Sequence, residues 1–263
     1  RDRLRDGSWA RCRSASHLLP LLAGVPDGER AAALVALLRD PGRFWGRWVV
    51  PTVTRDDIHF REQQYWRGTI WPPVNFLVQQ GLRRYGFDAA AAEVAARSAD
   101  LFLKAWRATG LARENFDART GEGGGRRHQS WGPLLALLAL EELVDVTPWE
   151  GLRVGGLRPP GPTRVTNVLI RGRRHDVSLG SGGLELAVDG RRVLTTDRPA
   201  VLRELEVGET RLAARLHCER ETELLAHLPG DRFSVEVDGT RSDLEEPRLG
   251  LAAGRHRVAL RRR

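Results

Sequence analysis

Tyr65-Trp66-Arg67-Gly68-Thr69-Ile70-Trp71-Pro72-Pro73-Val74-Asn75 sets two tryptophans around an arginine and a glycine, where a plain core segment would prefer aliphatics. Paired prolines after Trp71 suit the first turn of a helix, because the N–H groups they lack have no intrahelical acceptor there. The helix they open is predicted to run through Leu77 and Gly81 to Tyr85, with Gly86 ending it. The aromatic residues therefore lie on the loop that enters a helix. Trp66 and Trp71 supply flat apolar faces, Arg67 can brace a carboxylate or donate to hydroxyls, and Gly68 permits a close backbone approach. Asn75 falls one helical turn past Trp71. Tryptophans at such positions can equally be plain core.

Outward from this stretch the periodicity is helical. Ser14 to Leu22 reads as a short helix. Glu29 to Arg39 reads as a longer one, with Asp27 or Gly28 near its start and Pro41-Gly42 stopping it. Asp88 is placed to cap Ala89 to Ala108, whose Val94, Leu101, Phe102 and Ala105 form an apolar stripe, and Gly110 terminates it. Ser130 caps a last helix over Pro133 to Val144, with Pro148 beyond. Five helices result, and the loops from Pro41 to Thr69 and from Gly110 to Gln129 exceed the usual connection length. Loops that long tend to carry function.

The second of these loops contains Arg113-Glu114-Asn115-Phe116-Asp117-Ala118-Arg119-Thr120-Gly121-Glu122-Gly123. Glu114 is an isolated carboxylate with Glu122, Asp117, Asp56 and Asp57 as competitors. Thr120 to Gly125 lacks the lysine and hydroxyl of a phosphate loop, no strand precedes it, and it reads as a flexible loop. His128 reads as surface, core or sugar contact; Gln129 and Trp131 close the segment. No histidine pair has metal-ligand spacing, no Gly-x-Ser-x-Gly elbow occurs, and no metal or cofactor is implied. Flat apolar faces, fixed donors and a carboxylate are what a site needs to hold a sugar and cleave its glycosidic bond.

Aromatic usage marks a change of architecture. All eight tryptophans and both tyrosines lie at or before Trp149, and Phe233 alone among the phenylalanines lies beyond it. A Gly/Pro-rich stretch from Gly151 to Pro162 follows. Two domains are expected, 1–149 and 150–263. The second shows short alternating runs from Val165 to Leu260, with Asp189-Gly190 a strong hairpin signal and Asp238-Gly239 a weaker one. These point to a small all-β sandwich.

The net charge of +8 raises a nucleic-acid reading, but residues 1–149 carry half of the 42 basic and half of the 34 acidic groups, so the charge is not concentrated. A nucleic-acid partner is not expected. No apolar run approaches the roughly 20 residues needed to span a bilayer, and Arg1 to Asp6 has no signal-peptide h-region. A membrane partner is likewise not expected. Cys12 and Cys218 fall in different domains and read as thiols of a reducing, cytoplasmic compartment. With no methionine anywhere, not even at position 1, the chain reads as a fragment of a longer protein.

YWRGTIWPPVN, followed by ENFDARTGEGGG and then HQSW, resembles the C-terminal half of the catalytic domain of glycoside hydrolase family 63 and its relatives, which include mannosylglycerate hydrolases and, more distantly, trehalases. The resemblance covers about Ser14 to Val146. It implies about half of an (α/α)6 toroid, followed here by the β-sandwich, and an inverting hydrolase of α-linked glucosides or mannosides. It also implies that Glu114 is the general base, that Tyr65, Trp66, Gly68 and Trp71 line the sugar subsite, and that Trp131 closes it with Gln129 contributing. In such enzymes the general acid is an aspartate upstream of the tryptophan motif, in a part of the barrel without a counterpart here. The expected partners are thus the carbohydrate and the missing half of the barrel, and the fragment alone is expected to be inactive. The rival reading is a noncatalytic carbohydrate-binding or interaction protein that keeps the subsite without its acid.

Overall fold

The computed structural model describes residues 4–9, 12–159 and 161–263; Arg1, on which the reading of the chain's start rests, and Pro160 of the Gly/Pro-rich stretch lie outside the described residues. The chain divides into two compact units, Arg1–Ala139 and Leu140–Arg263.

The first unit is helical. The segment predicted as one short helix is a 3-10 turn, Ala15–Leu18, and a separate turn α1, Pro20–Ala23, because Pro20 cannot continue the preceding turn and instead opens the next. α2 (Gly28–Arg39) is capped by the Asp27 carboxylate, which accepts from the Arg30 N–H at 2.8 Å. α3 (Pro72–Arg84) begins on the two prolines, with Trp71 in extended geometry before them. α4 (Asp88–Thr109) ends on Gly110 in the left-handed conformation, as read from sequence; Asp88 lies inside its first turn rather than capping it from outside. α5 (Leu134–Leu143) closes the series. Five helices stand among the described residues, the complement expected of a half toroid.

Two apolar clusters hold this unit. Leu18, Leu21, Leu38, Phe44, Val78, Leu82 and Ala91 pack α1 and α2 against α3 and α4. Trp48, Ile70, Leu101, Phe116 and Leu135 gather the long loops onto α4 and α5. β1 (Asn115–Phe116) and β2 (Gly123–Gly124) pair antiparallel, so the segment read as a flexible loop is a short hairpin.

The second unit is an antiparallel sandwich. Its strands in chain order are β3 (Val144–Thr147), β4 (Gly151–Gly155), β5 (Thr163–Ile170), β6 (Arg173–Gly180), β7 (Gly183–Val188), β8 (Arg191–Thr196), β9 (Ala200–Val207), β10 (Arg211–Cys218), β11 (Thr222–Ala226), β12 (Phe233–Val237), β13 (Thr240–Leu244), β14 (Arg248–Leu251) and β15 (Gly254–Arg262). One sheet runs β13-β12-β15-β10-β9-β4-β3 and the other β14-β11-β8-β7-β6-β5. Alternate residues such as Val177, Leu186, Leu194, Leu202, Leu216, Leu224 and Val258 form the core between them. Asp189-Gly190 joins β7 to β8 and Asp238-Gly239 joins β12 to β13, all four residues at positive φ. The polarity that weakened the second signal belongs to β13, an exposed edge strand.

The architectural change comes earlier than residue 150. β3 and β4 already belong to the seven-stranded sheet and pair with each other and β9, so the Gly/Pro-rich stretch is internal to the sandwich. The last tryptophan, Trp149, sits on the β3–β4 turn, which is why aromatic usage placed the boundary too late.

Arg153 on β4 is fully buried among polar partners. Its Nη2 donates to Glu142 Oε2 at 2.7 Å, its Nε lies 3.6 Å from Glu150 Oε1, and Glu150 also receives Arg203 Nε at 2.7 Å. Removing one partner of such a group leaves uncompensated buried charge. Arg153→Met should lower the unfolding free energy by about 3–5 kcal/mol, measured by urea denaturation. Arg241→Ala, which deletes an exposed pair with Glu236, should change it by less than about 0.5 kcal/mol.

Candidate active site

Two long loops meet through a ladder of single backbone bridges. Pro51 pairs with Ile70, Ile70 with Phe116, and Phe116 in turn with Gly123 across the hairpin. The Ile70–Phe116 pair is reciprocal, with N–H···O distances of 2.8 and 2.9 Å. Gln63, which sequence reasoning did not single out, spans the same junction: its amide donates to the Phe60 carbonyl and accepts from the Ala118 N–H, each at 2.6 Å. Nothing in the local sequence distinguishes Gln63, because its second partner lies 55 positions away.

Within the first loop, Gln64 and Arg67 close a tight turn through mutual backbone hydrogen bonds of 3.2 and 2.9 Å. Tyr65 and Trp66 occupy its tip, with Tyr65 at φ +52° and both side chains exposed. Trp71 anchors this tip from beneath. Its indole N–H reaches the Tyr65 carbonyl at 3.1 Å and Thr69 Oγ1 at 3.0 Å, while the Thr69 hydroxyl donates to the same carbonyl. The Trp66 and Trp71 rings stack at 4.3 Å and 13°, and Tyr65 meets Trp71 edge-on at 5.1 Å. Trp131 completes the cluster, 6.0 Å from Trp71. Tyr65, Trp66, Trp71 and Trp131 are thus brought together, with Tyr65 and Trp66 offering the open faces. Trp71, expected to line the subsite, is 4% exposed and acts as the floor under Trp66.

Three further residues of this stretch complete it. Gly68, at φ +100°, is needed for the chain's own packing: a Cβ there would meet the Phe60 carbonyl oxygen at 2.5 Å. Its N–H donates to Thr52 Oγ1. Asn75 is fully buried. Its amide accepts from the Val50 N–H at 3.0 Å and donates to the Val49 carbonyl at 2.5 Å and Ser98 Oγ at 2.9 Å. It fastens the loop to α3 and α4 and presents nothing to a ligand. Arg67 is exposed and pairs with Glu62 at 2.6 Å and Gln64 at 2.8 Å on its own loop.

Glu114 stands directly before β1 and is half-buried. Its N–H donates to the Arg126 carbonyl at 3.2 Å, its carbonyl accepts from Trp131 Nε1 at 3.0 Å, and its Oε2 accepts from the Arg126 N–H at 2.8 Å. The Glu114 backbone is therefore tied to the aromatic cluster through Trp131, while its carboxylate is held by the Arg126 N–H. Gln129 anchors the same loop by donating its N–H to the Ala112 carbonyl at 2.9 Å, and its side chain is half-buried; His128 is exposed at φ +53°.

The competing carboxylates hold loops together. Asp117 accepts from the N–H groups of Arg119 at 2.7 Å and Thr120 at 2.8 Å, building the turn that leads into β2. Burial pushes its carboxyl up, but those N–H groups and the Arg119 guanidinium outweigh it, so it ionises below its ordinary value. Asp57 caps the Ile58–Arg61 turn and Asp56 pairs with Arg43. Glu122 is exposed on the hairpin turn. Among the described residues no group of three or more His, Cys, Asp or Glu is placed to hold a metal, and no helix is long and apolar enough to cross a membrane.

With this geometry in hand, the chain can be set beside known proteins. The mannosylglycerate hydrolase of Thermus thermophilus is 37% identical over 128 residues, which is 48% of this chain and 29% of that protein. Mannosylglycerate hydrolase MGH1 of Selaginella moellendorffii is 32% identical over 137 residues, 50% of this chain and 26% of that protein. A solved structure of the Thermus thermophilus family 63 mannosylglycerate hydrolase in complex with glucose is 33% identical, covering 51% of this chain and 32% of that one, with a TM-score of 0.44. The chain spans less than a third of the length of these curated relatives. The model of the mannosylglycerate hydrolase MGH1-like glycoside hydrolase domain matches residues 1–132, the residues that build the aromatic cluster and hold Glu114, and the chain belongs to that family.

Proposed function

We propose that the helical unit supplies the sugar platform and the general base of an inverting hydrolase of α-linked glucosides or mannosides. The observation that carries this reading is Glu114, held at the backbone and at one carboxylate oxygen beside an aromatic cluster to which Trp131 ties it. Tyr65 and Trp66 would pack against the apolar face of the ring. Glu114 would remove a proton from water as its oxygen attacks the anomeric carbon from the side opposite the leaving group. The C1–O bond breaks, an acid protonates the departing oxygen, and the configuration at C1 inverts.

The acid is proposed to come from an aspartate on a part of the barrel outside this chain, because the aspartates that compete with Glu114, Asp117, Asp57 and Asp56, are engaged in turns and an ion pair. An inverting pair is separated by about 6.5–9.5 Å, which leaves room for the water and fits an acid carried on another element. The rest of the barrel is then an obligatory partner and this chain alone does not turn over substrate. Cys12 and Cys218 form no disulfide, which fits a reducing cytoplasmic setting.

In the full-length protein, Glu114→Gln should lower kcat by at least about 10²-fold with KM little changed. Proton NMR of the first product formed should show inverted anomeric configuration. Near-normal turnover in the variant, or a retained anomer, would overturn the assignment. Trp66→Ala should raise KM about tenfold, the loss of one aromatic contact of roughly 1.4 kcal/mol. Because Trp66 is 46% exposed, its thermal midpoint should hardly move, and a large drop with unchanged KM would make Trp66 structural instead.

A further inference from the structure

Gly123, Gly124 and Gly125 run alongside Arg113, Glu114 and Asn115 so closely that a Cβ at any of them would collide. At Gly123 it would meet Arg113 Cγ at 2.4 Å and at Gly124 Asn115 Oδ1 at 2.7 Å. At Gly125 it would meet Glu114 Oε2 at 2.4 Å, the same carboxylate oxygen that accepts from the Arg126 N–H. Among the described residues Glu114 Oε1 has no hydrogen-bond partner. One oxygen is thus held by the hairpin backbone, over a residue without a side chain, while the other is left to take a proton. A glutamate has three side-chain torsions to immobilise, and an unheld carboxylate would sample many orientations.

We infer that the Gly125–Arg126 backbone is a positioning element for the catalytic carboxylate: the missing side chain at Gly125 lets Glu114 lie against the hairpin, and the Arg126 N–H fixes which oxygen faces the water. The inference rests on Glu114 being the general base.

The test compares variants of the full-length enzyme. Gly125→Ala imposes a side chain at φ +64° and displaces Oε2. Gly110→Ala imposes one at φ +63°, where nothing lies within 4 Å, and isolates the cost of the left-handed backbone alone. Gly125→Ala should lose about 10²-fold in kcat, as misplacement of a reacting group by about an ångström does, with KM within about threefold of wild type. Gly110→Ala should retain wild-type kcat. Combined with Glu114→Gln, Gly125→Ala should cost less than about twofold more, because a residue acting only through Glu114 has nothing left to position. If Glu114→Gln turns over normally, the base assignment falls and takes the inference with it. If Glu114→Gln is crippled but Gly125→Ala stays within about threefold of wild type, or loses its full factor again on top of Glu114→Gln, the positioning role alone is overturned. Should Gly125→Ala fail to fold, the Arg126 backbone amide is replaced by an ester, which removes the N–H that holds Oε2 and adds no side chain. A loss of about tenfold in kcat with KM little changed supports the role, and kcat within about twofold of wild type overturns it.

Discussion

The reciprocal backbone pair between Ile70 and Phe116 is the constraint on which the site depends. It joins the loop that carries the aromatic turn to the loop that carries Glu114, and both side chains are fully buried in one apolar cluster. Two hydrogen bonds contribute about 1 kcal/mol each, and burial of the two side chains about 1.5–3 kcal/mol each. Loop-closure cost grows only slowly with length, so a contact of this size can order loops as long as these. Once Ile70 and Phe116 are paired, the turn at Gln64–Arg67 and the hairpin at Asn115–Gly124 are brought to the same junction, and Gln63 and Trp131 add cross-links at its two ends.

What could be read from sequence divides by the range of the forces involved. Helix boundaries depend on residues within a turn of each other, so Asp27, the Pro72-Pro73 pair and Gly110 marked theirs in advance, and the two Asp-Gly turns did the same for β7–β8 and β12–β13. Glu114 and its aromatic neighbours were legible as a pattern of residue types. Their individual duties were not. Asn75 stands out only by falling one helical turn past Trp71, and its partners Val49, Val50 and Ser98 lie more than 20 positions away. Gly68 likewise serves a carbonyl contributed by Phe60, and the glycine run that reads as slack is pressed against Arg113, Glu114 and Asn115. Strands β3 and β4 lie before the runs read from Val165 onward and escaped because such short segments show little alternation.

The arginine-rich composition finds its use in the fold. Arg39 and Arg97 both lie over the Trp45 ring and both pair with Glu93, while Arg47 and Lys104 lie over Trp48. On the sandwich, Arg173, Arg192, Arg211, Arg215 and Arg248 pair with carboxylates on neighbouring strands or turns. Exposed pairs of this kind contribute little stability one by one. The surplus of eight is itself divided evenly, four in residues 1–149 and four in residues 150–263.

Sites carried on loops are usually less exact than sites carried on helices or strands. Here the difficulty is met by making the loops behave as a sheet where it matters: Pro51, Ile70, Phe116 and Gly123 form a ladder one bridge wide, and Glu114 stands two residues before Phe116. A wider sheet would cover the aromatic turn and shut off the open faces of Tyr65 and Trp66. A plain loop would leave the Glu114 side chain with rotational freedom that the hairpin removes. The narrow ladder leaves the aromatic turn exposed on one side, and glycines at the hairpin let its two arms approach closely, since a side chain at Gly123 or Gly124 would meet Arg113 or Asn115 and one at Gly125 would meet the Glu114 carboxylate.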